Sequence, residues 1–374
     1  MKLRFEPVSR MCSAAVDAGV APGLVVLVAS SGQTVFHEAF GARQVFPRRL
    51  PLLKDTVYDV ASLTKAVATS VLAMQEVGAG RLALDTRVAE LVPELGGLDR
   101  DAITVRQLLS HSSGLPAHRP FWREAAAAPA ERLAVERLAA REALEYPPGT
   151  RSVYSDLGFI VLGWLLERLT GARLDTLFRE RIGAPLGLAA TTFVSLADPD
   201  ARARLLADHS VAPTQISTDR HGLVLGEVDD ANALAMGGIA GHAGLFSTAA
   251  ELAAIASALI GAWRGQASAN AGGLVAPGVI REFWSPAGVP GSTWRLGWDG
   301  PAASGSQAGD RLSRAAVGHL AFTGCSLWID PAREVVLVLL SNRVHPSIPT
   351  DDRFRRFRPA LHDAALSAVG YDGR

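Results

Sequence analysis

Hydrophobic positions along this chain switch between two periods. "GLVVLVAS" (23–30) and "TVFHEAF" (34–40) are rich in β-branched and apolar residues and are joined by Ser31-Gly32-Gln33, which predicts a β-hairpin. In "SLTKAVATSVLAMQEVGAG" (62–80), Leu63, Val67, Val71 and Met74 recur three and four apart. That spacing predicts a helix closed by Gly78 and Gly80. From there to about residue 250 helical segments dominate, among them "TVRQLLSHSSG", "AAAAPAERLAVERLAAREAL" and "LGFIVLGWLLERLTG", with loops rich in Pro and Gly between them. The alanine-rich stretch 125–140 is read as helix. In the last third "AAELAAIASALIGAW" predicts a helix, "AFTGCSLWI" and "EVVLVLLSN" predict strands, and "RPALHDAALSAVG" predicts a closing helix. An amphipathic helix is expected near the N-terminus.

Strands at the two ends of a chain can share one sheet. The expected architecture is therefore α/β and two-lobed: residues 1–60 and 245–374 form the lobe with the sheet, residues 61–244 form an inserted, mostly helical lobe, and a cleft lies between them. The length of 374 residues is enough for two or three compact units or one two-lobed chain, and 48% hydrophobic residues suffice for a sizeable core. Acidic and basic residues balance at 37 each, which removes the broad electrostatic case for a nucleic-acid or acidic-membrane partner. The cluster Arg353, Arg355, Arg356 and Arg358 is read as a solvated helix face. No segment is apolar enough to span a bilayer, and no signal-peptide core is visible. Cys12 and Cys325 are read as free packed thiols, and a cytoplasmic location is expected.

Lysine usage points to chemistry. Only Lys2, Lys54 and Lys65 are lysines; every other basic residue is arginine. Lys65 follows Ser62 by three residues, so the two share a helix face. A serine hydroxyl needs a base to become a nucleophile, and an amine, unlike a guanidinium, can give up its proton when desolvated. Amides at the helix start would favour the oxyanion of acyl transfer. In "PPGTRSVYSDLGFIVLGWLLERLTG", Tyr154 and Asp156 stand in a loop before a strong helix. A phenol near an ammonium is drawn toward phenolate, so Tyr154 could take the serine proton and return it to the leaving group. His319, in "VGHLAFTGCSLWIDP", reads alone as a structural histidine; with the family resemblance given below it could bond that phenol or a substrate oxygen, with the Phe322 amide as a second oxyanion donor. His242 is a weaker site candidate in a glycine-rich stretch without metal-site spacing. Ser112 and Ser113 of "LLSHSSGLP" are alternative nucleophiles, although the chain has no G-x-S-x-G elbow.

Ser62-Leu63-Thr64-Lys65, Tyr154-Ser155-Asp156 and His319-Leu320-Ala321, in that order, resemble the three motifs of serine β-lactamases and penicillin-binding proteins. By pattern the chain looks like the class C β-lactamases and the β-lactamase-like esterases. The resemblance covers roughly residues 15–345 and implies an antiparallel sheet flanked by helices with the site between lobes. It also implies an acyl-enzyme on Ser62, proton handling by Lys65 and Tyr154, oxyanion amides at Ser62 and Phe322, and no metal or organic cofactor. Two departures stand out: Asp156 replaces the usual Asn, and His319-Leu320-Ala321 replaces Lys-Thr-Gly. The first removes an amide donor and adds possible negative charge. The second removes a permanent cation and a hydroxyl, and Ala321 adds a methyl beside the substrate path. Both point away from anionic β-lactams and D-Ala-D-Ala termini. The leading expectation is a carboxylesterase-like serine hydrolase acting on small esters or amides. A β-lactamase or D-alanyl-D-alanine carboxypeptidase, and a binding protein without turnover, are the alternatives.

Overall fold

The computed structural model describes residues 4–126, 131–220, 222–266 and 273–372. The strands are β1 (Gly23–Ser30), β2 (Gln33–Gln44), β3 (Leu50–Pro51), β4 (Tyr58–Asp59), β5 (Thr192–Phe193), β6 (Ile216–Ser217), β7 (Gly222–Leu223), β8 (Leu245–Ser247), β9 (Val317–Leu320), β10 (Ser326–Asp330) and β11 (Val335–Ser341). Six of them form one antiparallel sheet in the order β3-β2-β1-β11-β10-β9, so both ends of the chain build it. The β1–β2 pair is the expected hairpin, and β1 sits centrally against β11 with Val26 opposite Leu339.

Alternation explains the unbroken apolar runs of β1 and β11, because both faces are covered. Leu24, Val26, Val28, Leu337 and Leu339 pack with the helices Glu6–Asp17 and Arg353–Ala368. Val25, Leu27, Val336, Val338 and Leu340 pack with the helix Ala249–Trp263 and the helical body beyond it. Each such Val or Leu contributes roughly 1.5–3 kcal/mol by leaving water.

Helices fill most of the region between β4 and β8. Pairing of Tyr58 with Ser247 and Asp59 with Phe246 ties together the two ends of that region. Its longest helix, Asp156–Thr170, starts at Ser155, whose hydroxyl accepts from the Gly158 amide, and ends at Gly171 with φ of 69°. The alanine-rich stretch forms the helix Glu131–Arg141; residues 127–130 of that reading lie outside the described residues. Among the described residues no helix is long and apolar enough to cross a membrane.

Three expectations change. Residues 321–325 are not strand: they are the turn between β9 and β10, where the Ala321 amide donates to the Cys325 carbonyl at 2.8 Å. The helix that begins near Ser62 opens with wide i→i+5 turns over Lys65–Ser70 before becoming regular at Val71–Gly78. The closing helix starts at Arg353 and carries the arginine cluster, but Arg358 is buried. Its guanidinium donates to Gln307 at 2.9 Å and lies over the Phe354 ring, and burial lowers its pKa to about 10.

Candidate active site

Ser62 stands in the turn between β4 and the Lys65–Ser70 segment, and the residue before it is strained. Ala61 has φ of 44°, a region costly for a residue with a Cβ, and the Asp59 carboxylate holds its amide at 2.8 Å. The other Asp59 oxygen accepts from the Asp229 amide at 2.7 Å. One buried carboxyl thus fixes both the turn that carries Ser62 and the wall beside it; burial, then Asp229, pushes its pKa up to about 7.

Two donors meet at the Ser62 hydroxyl. The Tyr154 hydroxyl donates to Ser62 Oγ at 2.7 Å, and Lys65 Nζ donates to it at 3.1 Å. Lys65 is fully buried, and its remaining bonds go to the His242 carbonyl at 2.9 Å and to Asp156 Oδ1 at 2.7 Å. Asp156 also reaches the half-exposed His118 at 3.4 Å. The pairs therefore run Ser62–Lys65–Asp156–His118 and end at a half-exposed imidazole.

This geometry revises the electrostatic expectation. Burial alone would lower the Lys65 pKa and free its proton. The Asp156 carboxylate, with help from Tyr154, more than reverses that, and the amine is held charged. Burial raises Tyr154 above the ordinary phenol value, and Lys65 pulls it only partly back. Burial works against ionisation of Asp156, but Lys65, with His118 and His242, more than offsets it and keeps the carboxyl ionised. The resting pair is thus ammonium and phenol, and neither group is a ready base. For the lysine the main cause is the aspartate that stands where the family usually has asparagine; for the tyrosine it is burial.

The remaining candidates sort by placement. His319, on β9 opposite Leu327, is buried with Nδ1 against the Leu320 carbonyl at 2.7 Å. Burial and then Lys65 lower its pKa to about 3, so it is neutral. It makes no hydrogen bond to the phenol; its ring lies 5.9 Å from the Tyr154 ring, centroid to centroid. Ala321 is buried at the cavity wall and Phe322 is exposed at its rim. Among the described residues the amides of Ser62 and Phe322 donate to no protein acceptor, which leaves both available for an oxyanion. His242 does reach the site, through its carbonyl on Lys65 and its ring on Asp230 at 2.9 Å. Ser112 and Ser113 are buried and do not line the cavity. Sequence reasoning missed Asp59, Asp230, His118 and Trp294. Their motifs are featureless, and only folding brings them to Ser62.

The cavity in front of Ser62 measures about 690 Å³. Asp156, Asp229, Asp230 and Asp299 contribute to its wall, as do His118, His242, His319 and Trp294. Among the described residues no lysine or arginine lines it. No group of side chains among them could hold a metal ion.

A serine and a tyrosine at the cavity, joined by a buried lysine between an antiparallel sheet and a helical region, are an arrangement suited to serine acyl transfer. The β-lactamase family profile matches residues 8–360, and the chain belongs to that family of serine hydrolases. It is 29% identical to the "Putative D-alanyl-D-alanine carboxypeptidase" of Escherichia coli K12, over 92% of this chain and 83% of that protein. It is also 29% identical to the N-acetylmuramyl-L-alanine amidase of Bacillus subtilis 168, over 92% and 82%. In fold it is similar to EstCE1, a hydrolase with promiscuous acyltransferase activity, with a TM-score of 0.73 at 21% identity over 97% and 98% of the two chains. The octameric penicillin-binding protein homologue from Pyrococcus abyssi gives 0.72 at 22%, over 98% and 77%.

Proposed function

We propose that this chain is a carboxylesterase-like hydrolase that cleaves small esters, or activated amides, whose acyl part carries no carboxylate. The observation that carries this reading is the charge of the cavity wall: four aspartates and no lysine or arginine face the space in front of Ser62. A carboxylate-bearing substrate would meet an acidic wall whose nearest cation, Lys65 behind Ser62, is already paired with Asp156, whereas an uncharged acyl group meets Trp294, Leu320, Ala321 and Phe322.

In the proposed cycle Ser62 Oγ attacks the substrate carbonyl carbon and its proton passes to the oxygen of ionised Tyr154. The oxyanion is received by the Ser62 and Phe322 amides. Collapse breaks the bond to the leaving group, which takes the proton from Tyr154. Water, deprotonated by the same phenolate, then releases the acid and returns Ser62 Oγ–H. The reactive form has one proton fewer on the Lys65–Tyr154 pair than the resting form, and Lys65 as ammonium stabilises the phenolate.

The test is a comparison of p-nitrophenyl acetate, the matched hemisuccinate ester and nitrocefin. The expected order of kcat/KM places the neutral ester first, with the anionic ester disadvantaged and the gap narrowing as salt rises. Nitrocefin turnover equal to that of the neutral ester would reject the reading in favour of a β-lactamase or carboxypeptidase. Absence of turnover and of covalent labelling in folded protein would favour a binding protein. The amidase name of the Bacillus relative supports a second reading, hydrolysis of an unactivated amide, which a muramyl-peptide substrate would reveal. A cytoplasmic location remains part of the proposal; two free buried cysteines fit a reducing compartment, and cell fractionation tests it.

A further inference from the structure

The segment "LLSHSSGLP" supplies no nucleophile, yet it runs along the loop that carries Tyr154 and bonds to it repeatedly. Ser152 Oγ donates to the Ser110 carbonyl at 3.0 Å, and Ser155 Oγ donates to the Pro116 carbonyl at 2.6 Å. The Asp156 amide donates to the Ala117 carbonyl at 2.8 Å. His111 stands at the centre of this cradle. Its carbonyl accepts from the Val153 amide at 2.8 Å and from the Tyr146 hydroxyl at 3.1 Å, and its ring Nδ1 accepts from the Ser155 amide at 3.0 Å. Val153 and Ser155 are the residues immediately before and after Tyr154.

The ring is buried and packed on three aromatic neighbours. Its centroid lies 4.8 Å from Tyr154, 5.1 Å from Phe159 and 4.3 Å, edge-on, from Trp294. The backbone of His111 is left-handed, φ 54°, a conformation a histidine adopts only at a cost. Accepting at Nδ1 leaves the proton on Nε2, which has no hydrogen-bond partner. Burial, and after it Lys65, holds the ring neutral, so that it accepts at Nδ1 and adds no charge beside the phenol.

We propose that His111 is a positioning residue for Tyr154: it grips the chain on both sides of the tyrosine and packs its ring against the phenol, fixing the hydroxyl on Ser62. This rests on the reading of Tyr154 as the group that takes the Ser62 proton. Two variants separate positioning from folding. His111→Gly keeps the left-handed backbone but removes both acceptor and ring; His111→Asn tolerates the same backbone and restores an acceptor near the Ser155 amide. The readouts are kcat and KM measured separately, a thermal melt, and the phenolate absorbance titration of Tyr154 taken as the difference from Tyr154→Phe.

Displacement of a reacting group by about 1 Å costs about 10²-fold, so His111→Gly is expected to lose kcat on that scale with KM little changed. Tyr154 is expected to ionise at higher pH, having drifted from the Lys65 ammonium, and His111→Asn should recover most of kcat. A folded His111→Gly variant with wild-type kcat and an unmoved phenolate titration overturns the proposal. If the glycine variant does not fold, His111→Gln, whose longer arm carries the acceptor away from the Ser155 amide, is read in the same way. Should the wild type itself form no adduct on Ser62, the hydrolase reading fails while the phenolate titration still decides the role of His111.

Discussion

At the scale of single residues the controlling feature is Asp156. Its 2.7 Å pair with buried Lys65 keeps the amine charged, so the proton-poor reactive form is scarce at neutral pH. The kcat/KM of the wild type is accordingly expected to rise with pH through the alkaline range, since both Lys65 and Tyr154 lie above their ordinary values. Asp156→Asn removes the group that raises Lys65 and leaves burial, which lowers it. The rising limb should therefore move to lower pH, and a pH–rate profile with an unmoved limb would show that Asp156 does not set the titration. The residues of this site were legible because their types are unusual in place: a lysine in an arginine-using chain, and a tyrosine just before a helix. The charge state was not legible, because it depends on a contact between positions 65 and 156 that no spacing encodes.

At the scale of elements the site depends on close backbone approach. Gly163, inside the helix Asp156–Thr170, faces Gly241, and a Cβ at 163 would lie 2.9 Å from Gly241 Cα. That approach brings the 241–242 backbone onto the Lys65 segment: Thr69 Oγ1 donates to the Gly241 carbonyl at 2.6 Å and Lys65 to that of His242. Gly163→Ala is expected to destabilise the fold by about 1–3 kcal/mol through overpacking and to slow acylation of Ser62. Thermal melts and single-turnover kinetics check the two effects; wild-type values for both would show that the contact is slack. Element types were largely readable from period, because β1 and β11 are uninterrupted apolar runs and the helix at 156–170 has clear caps. The turn at 321–325 was misread as strand. "AFTGCSLWI" is apolar throughout, and only the pairing of Ser326 with Leu320 shows where the ladder restarts.

At the scale of the whole molecule one hydrophobic cluster runs from the sheet, through Val25, Leu27 and Val338, to Leu72, Leu162 and Leu259 in the helices. A core shared in this way should unfold as one unit. Far-ultraviolet and near-ultraviolet circular dichroism are expected to report coincident urea transitions, and two separated transitions would mean that the helical region is stable apart from the sheet. The same packing seats Ser62 and Tyr154, carried on two distant segments, at one cavity, with Lys65 buried behind them. The most direct measurement is intact and peptide mass spectrometry after brief incubation with a slowly turned-over neutral p-nitrophenyl ester. A single acyl adduct on Ser62, missing in Ser62→Ala together with turnover, is the expected result. An adduct on another residue, or ester hydrolysis that persists in Ser62→Ala, would contradict the assignment of Ser62 as the nucleophile.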